Sequence, residues 1–146
     1  MAIRNIVKEG DAILREKSRV IDAFGQGLNI LIDDMIDTMI HADGAGLAAV
    51  QVGSLKRVFI ATDEAGEIWE FVNPVVLEAK GEQIYNEGCL SVPGLKGDVK
   101  RAKQIKLKAQ DRYGNEFIVK AKDFFAVVIS HELDHLDGVL YTDKLV

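Results

Sequence analysis

The stretch that most restricts the fold is Phe124-Phe-Ala-Val-Val-Ile-Ser-His-Glu-Leu-Asp-His-Leu136, bounded by Asp123 and by Asp137-Gly138. An aspartate before an apolar run is a helix N-cap, and an Asp-Gly pair after it is a stop, so the spacing predicts a helix. Its first half has almost no polar face, so it must be buried in the core, not laid on the surface. The same segment carries His131, Glu132 and His135. Four-residue spacing puts the two imidazoles on one helical face, where both can reach a single metal ion. Glu132 lies one step around, placed to accept a proton from a water without being a ligand. A plainer reading is two buried histidines bonded to backbone, with Glu132 in an ion pair. Burial opposes it, because each imidazole would need several polar partners to offset desolvation.

Two ligands leave a site incomplete. A metzincin-like third histidine would fall at position 141, which is Tyr141, although Gly138 matches that pattern. A thermolysin-like glutamate is ruled out because only 11 residues follow His135 and none is Glu. The third ligand is therefore upstream, unless Asp137 or Asp143 folds back. His41 is one candidate and Cys89, in Glu87-Gly-Cys-Leu-Ser91, the better one. A thiolate binds iron(II) or zinc strongly, and Gly88 would let the backbone approach the metal. Two His and one Cys leave a fourth position for water, the mark of a catalytic site.

The remaining chain reads as α+β: antiparallel sheets around the buried C-terminal helix, with an amphipathic helix nearer the N-terminus. From Gly27 to Ala42, Leu28, Leu31, Ile32, Met35, Ile36, Met39 and Ile40 recur at three- and four-residue steps. Asp33, Asp34 and Asp37 take the opposite side, and Gly44 suits a left-handed helix end. Arg57–Thr62, Ile68–Asn73 and Val99–Gln110 read as strands. Asp63–Gly66 and Asp111–Asn115 supply hairpin turns. With 146 residues, no linker and no repeat, one domain spanning 1–146 is expected. The single cysteine excludes an internal disulfide framework. A formal charge of -5, with basic residues spread along the sequence, offers no nucleic-acid motif. Charges from Arg4 onward leave no apolar run of membrane-spanning or signal-peptide length, which points to the cytoplasm.

A third feature, Gly44-Ala-Gly-Leu-Ala-Ala-Val-Gln51, is neither a phosphate loop nor a dinucleotide fingerprint. It reads equally as a helix end entering a strand or as a functional turn in which Gln51 offers an amide to an oxyanion. Taken in order with Glu87-Gly-Cys-Leu-Ser91 and His131-Glu-Leu-Asp-His135, it resembles the three motifs of peptide deformylase. The resemblance runs from Ala2-Ile-Arg-Asn-Ile6 to Asp137-Gly-Val-Leu-Tyr-Thr-Asp-Lys-Leu145.

The resemblance implies hydrolytic removal of the formyl group from the formyl-methionine of nascent bacterial polypeptides, by a monomer working near the ribosomal exit tunnel. It implies one divalent metal, iron(II) in the cell, with zinc, nickel or cobalt as substitutes. Cys89, His131 and His135 would hold it, with Glu132 as base and acid. Gln51 and the Leu90 backbone N–H would hold the oxyanion, Gly46 would orient the peptide, and Glu87 would stand behind the ligands paired with Arg101. Helix-face geometry adds Val127 and Phe124, and position adds Ala45 and Gly88, as walls for the methionine side chain. The sequence departs from the family pattern at Ala45, where a larger aliphatic residue is common, at Ser130, where Gln is frequent, and at Gly10-Asp11, where a proline turn is usual. None of these removes a ligand or the base. A metallopeptidase acting on another acyl group, a structural metal module closed by a fourth protein ligand, and a silent relative kept for binding remain as alternative readings.

Overall fold

A computed structural model describes residues 2–146. In chain order the main elements are α1 (Gln26–His41), β1 (Gly46–Ala48), β2 (Val58–Thr62), β3 (Ile68–Lys80), β4 (Gln83–Cys89), β5 (Val92–Arg101), β6 (Gln104–Gln110), β7 (Glu116–Lys122) and α2 (Asp123–Leu136). Short 3-10 turns occupy Ala12–Arg15, Ala49–Val52 and Tyr141–Lys144. The strands form a five-stranded antiparallel sheet, ordered β1-β2-β3-β6-β7, and a separate β4–β5 pair. The architecture is α+β. Among the described residues no helix is long and apolar enough to cross a membrane.

β2 explains the layering. Val58 and Ile60 pack with Leu28, Leu31, Ile32 and Met35 of α1, whereas Phe59 and Ala61 pack with Phe125, Val128 and Ile129 of α2. A strand buried on both faces reads as a continuous apolar run, as Val58-Phe-Ile-Ala61 does. Farther across the sheet only one face is covered, and β6 alternates: Ile105, Leu107 and Ala109 point inward while Lys106 and Lys108 point out. Both turn clusters close hairpins, with Gly66 and Gly114 each at φ 86°. The Asp63 carboxylate accepts from the Ala65 and Glu67 N–H groups, and Asp111 from Tyr113 and Asn115.

Several expectations are corrected. The run Val99–Gln110 is not one strand. It turns at Ala102-Lys103, so its first part ends β5 and the rest forms β6. β3 continues well past Asn73 because a bulge leaves Asn73 and Pro74 outside the β3–β6 ladder, so a proline can sit within the strand. Asn73, at φ 50°, fixes that bulge by bonding both backbone groups of Ile21. The left-handed residue after α1 is Asp43 (φ 57°), not Gly44. Asp43 and Gly44 return their N–H groups to Ile40 and Met39, and Gly44 is needed for room: a Cβ there would lie 2.8 Å from Leu90 Cδ1.

Asp34 is not on the solvent side. It is 5% exposed and accepts from Ala2 N (2.8 Å) and Arg4 Nε (2.9 Å), tying the N-terminal segment to α1. Ile40, assigned to the apolar face, is exposed. The N-cap of α2 is Lys122, not Asp123, whose carboxylate instead pairs with Lys103 Nζ at 2.7 Å. Most of the first half of α2 is buried, but Phe124 is 38% exposed and rests on Tyr85, ring centroids 5.1 Å apart.

After α2, Gly138 adopts φ 76° and is buried against the N-terminal segment, where an added Cβ would run into the Arg15 carbonyl. Gly138→Ala is therefore expected to cost on the order of 3 kcal/mol, combining left-handed strain with overpacking. Denaturant titration should give a lower midpoint with an unchanged slope.

Candidate metal centre

α2 and the β4–β5 hairpin bring the chemistry together. α2 places His131 and His135 one turn apart, and Cys89 ends β4, where the pair turns through Leu90-Ser91 into Val92. Cys89 Sγ lies 3.4 Å from His135 Nε2, and His135 Nε2 lies 3.2 Å from His131 Nε2. All three donor atoms fall within 4.8 Å of one another. His41 is exposed at the end of α1. Asp137 and Asp143 pair with Arg57 and Arg15, so none of these three joins the cluster.

The donor set suits a divalent cation. Typical zinc bond lengths give a tetrahedral ligand set N–N edges of about 3.3 Å and S–N edges of about 3.6 Å, close to the separations here. Charge leads to the same conclusion. Burial pulls His131 down, but hydrogen bonds to Cys89 and Glu87 outweigh it and hold the imidazole protonated, up to about 10. His135 is pushed well below the ordinary range by burial and by charged His131. The three converging donors thus favour a positive charge at His131, a role that a metal cation would take over.

Behind the ligands runs a chain of charged groups. His131 Nδ1 is 2.9 Å from Glu87 Oε1, and Arg101 donates to both Glu87 oxygens, at 2.7 and 2.9 Å. The remaining Arg101 nitrogen donates to Asp134 Oδ2 at 2.6 Å. Burial pushes the Glu87 carboxyl up, but the bonds from Arg101 and His131 hold it below the usual carboxylate range. With Nδ1–H directed at Glu87, His131 would present Nε2 to a metal that displaces the proton there. Asp134 was not singled out from the sequence, though its place three residues after His131 puts it on the neighbouring helical face.

Glu132 is 4% exposed, its Oε1 buried without a hydrogen-bond partner, and burial raises it to about 7. Gly46 makes the room: a Cβ there would lie 2.7 Å from Glu132 Oε2 and 2.9 Å from Val128 Cγ1. Gln51 is buried in the turn after β1. Its carbonyl accepts from Ala48 N, and its amide donates to Ser91 Oγ at 3.1 Å and faces Cys89 Sγ at 3.7 Å. Ser91, two residues beyond Cys89, is the second group that sequence reasoning missed.

These groups open on a cavity of about 530 Å³, whose wall includes Ala45, Gly46, Gly88, Leu90, Val127 and Phe124, with Tyr85 and Val128 added by the structure. Gly88 is not required by crowding, since a Cβ there would meet nothing closer than 3.5 Å. β5 bulges outward at the rim: five steps along it, from Val92 to Gly97, match two along β4, from Glu87 to Cys89. Pro93, Gly94, Leu95 and Lys96 become an exposed lip of the cavity.

A family model described as polypeptide deformylase matches residues 3–146. Peptide deformylase 1 of Clostridium perfringens (strain 13) is 52% identical over 145 residues, covering 98% of each chain. The peptide deformylase of Acetivibrio thermocellus is 47% identical over 146 residues, covering 100% of this chain and 85% of that protein. The crystal structure of peptide deformylase from Thermotoga maritima superposes with a TM-score of 0.97 at 36% identity, covering 100% of this chain and 99% of that one.

Arg101→Gln should weaken metal binding about 10–100-fold, the usual effect of removing a group that orients a ligand. Competition with a chelator for cobalt(II) measures this. An affinity equal to that of the unaltered protein would show that Glu87 holds His131 without help from Arg101.

Proposed function

The chain belongs to the polypeptide deformylase family, metal-dependent hydrolases that remove the formyl group from the N-termini of nascent polypeptides, and from that premise we propose which residues carry each step. The observation that supports the assignment is the meeting of Cys89 Sγ and the two imidazole Nε2 atoms beside a buried, protonatable Glu132.

Cys89, His131 and His135 hold the metal, iron(II) in the cell, with zinc, nickel or cobalt able to replace it. A divalent cation supplies Lewis acidity at this position, making water acidic enough to ionise near neutral pH and polarising a carbonyl oxygen. Glu132 takes the proton from the attacking water. Its raised affinity for protons suits it to do so and to return the proton later. As the formyl carbon becomes tetrahedral, the Gln51 amide and the Leu90 N–H donate to the developing oxyanion. One such donor is worth about 3 kcal/mol in comparable sites. The Gln51 amide is already aimed at the cluster by its carbonyl bond to Ala48 N, so little reorganisation is needed. Glu132 then passes its proton to the departing amine, leaving formate and a free N-terminus.

The methionine side chain enters the cavity between Phe124 and Val127, with Ala45 widening the wall where a larger residue would narrow it. Gly46 has two uses: it leaves space for the Glu132 carboxylate and presents backbone to the peptide. Glu87, held by Arg101, keeps His131 in the metal-binding tautomer. The chain acts as one domain and one monomer over 1–146, in the bacterial cytoplasm, on peptides leaving the ribosome.

Glu132→Gln should retain the metal while losing at least a hundredfold in formate release from a formyl-methionyl peptide, because acid-base catalysis typically contributes about 10²–10⁴. Near-normal turnover by a pure, metal-loaded sample would reject Glu132 as the base. An unformylated peptide assayed alongside separates deformylation from peptide-bond cleavage. Gly46→Ala is expected to lower kcat tenfold or more with metal content intact, since the new methyl displaces the Glu132 carboxylate. A change confined to KM would assign Gly46 to peptide binding alone.

A further inference from the structure

The N-terminal segment does more than lie against α1. At its start Ala2 N and Arg4 Nε donate to the two Asp34 oxygens, and Arg4 N donates to Thr38 Oγ1 at 2.9 Å. Farther along, Val7 packs against the core cluster that holds α2, and Leu14 is buried within it. Between these anchors Val7 N donates to the Gln51 carbonyl and Glu9 N to the Ser91 carbonyl, both at 2.7 Å. Amides two residues apart share one side of an extended chain, and here both address the turns beside the metal centre.

Gln51 and Ser91 are 1% and 0% exposed, and a buried carbonyl needs a donor. The two carbonyls also belong to separate parts of the fold. Gln51 sits in the turn after β1, an edge of the five-stranded sheet, whereas Ser91 sits in the turn of the β4–β5 pair. No strand ladder joins the two sheets among the described residues, so no register sets the spacing of these turns. Val7 and Glu9 set it instead, by tying both backbones to one short length of chain. The spacing matters because the Gln51 amide donates one hydrogen to Ser91 Oγ at 3.1 Å, which fixes the direction of its second hydrogen.

We propose that Val7–Glu9 is a positioning segment for the Gln51 amide: it holds the Gln51 and Ser91 turns at the separation that aims the second amide hydrogen at the oxyanion. The inference rests on the deformylase reading, in which that hydrogen meets the developing charge. Local geometry allows one of the two backbone bonds to be removed selectively. Asp11 N donates to the Lys8 carbonyl at 3.2 Å, and the positive φ of this turn falls on Gly10, at 102°, not on Glu9. That is a type II pattern, which favours proline at its second position. Glu9→Pro therefore suits the turn while deleting the N–H that Ser91 receives.

Glu9→Ala, which keeps the N–H, is the reference. Relative to it, Glu9→Pro should lower kcat for formate release from a formyl-methionyl peptide about tenfold or more, with KM within about twofold, because a misaimed oxyanion donor is missed only in the transition state. Cobalt(II) affinity, from competition with a chelator, should be equal in the two. In Gln51→Ala protein the same proline should cost less than about threefold, since the group it misaims is gone. On the zinc-loaded protein, the heteronuclear NOE of the Gln51 side-chain amide should report a rigid group in Glu9→Ala and a mobile one in Glu9→Pro. If Glu9→Pro folds poorly, Arg4→Gln frees the start of the segment from Asp34 and should lower kcat about threefold, an effect again absent in Gln51→Ala. Equal kcat in Glu9→Pro and Glu9→Ala, a loss undiminished in Gln51→Ala, a loss that follows metal affinity, or an unchanged Gln51 amide overturns the proposal. If the unaltered metal-loaded chain releases no formate while Glu9→Pro still frees the Gln51 amide, the deformylase reading fails and the positioning of Gln51 stands.

Discussion

Everything else in the molecule depends on the burial of most of α2. Phe125, Val128 and Ile129 fix one side of the helix to the five-stranded sheet, and this leaves Val127, His131 and Glu132 facing the cavity. Burying a Val, Leu, Ile or Phe side chain is worth about 1.5–3 kcal/mol. The apolar half of the helix therefore anchors the polar half rigidly. Polar groups held this way meet partners at fixed separations, because a core packed at crystal-like density does not let them drift.

The β4–β5 hairpin supplies what the helix cannot. It brings Glu87 and Cys89 of β4 and Arg101 of β5 to the same side of α2, so a ligand, its orienting carboxylate and the guanidinium behind it travel on one small unit. Tyr141, just past α2, is buried and stacks on His131 with ring centroids 6.1 Å apart, and it packs with Val92, Val99 and Cys89. Gly97 belongs to the same corner: a side chain there would collide with Leu145, which bridges to Val99. The C-terminal turn thus clamps the hairpin from outside while α2 receives it from inside.

Helical periodicity and the residue types on α2 made the core helix, the two imidazoles and Glu132 readable from the sequence. Cys89 could be reached by asking what would complete two ligands. Local pattern failed wherever a long-range partner decided the outcome. Asp34 looks like a solvent residue until the N-terminal segment arrives to hydrogen-bond with it. The turn at Ala102-Lys103 is hidden because apolar residues continue on either side of it. Asp134 and Ser91 matter through single bonds to Arg101 and Gln51, which no periodicity announces.

The Asp134–Arg101–Glu87–His131 chain is poorly explained as a device for stability. Arg101 and Glu87 are each 3% exposed at the side chain, and desolvating such charges costs several kcal/mol per ion, which their attraction only offsets. Apolar residues of similar volume could fill the space at no loss, and often with a gain, in stability. Geometry is what they could not replace. Arg101 grips Glu87 with two parallel bonds, so the carboxylate cannot rotate, and a fixed carboxylate presents one acceptor to His131 Nδ1. That bond sets both the tautomer and the plane of the ring, and thereby the direction of the Nε2 lone pair. Each link is a constraint on angle passed inward from the surface of α2, and the last one acts on the atom that meets Cys89 and His135.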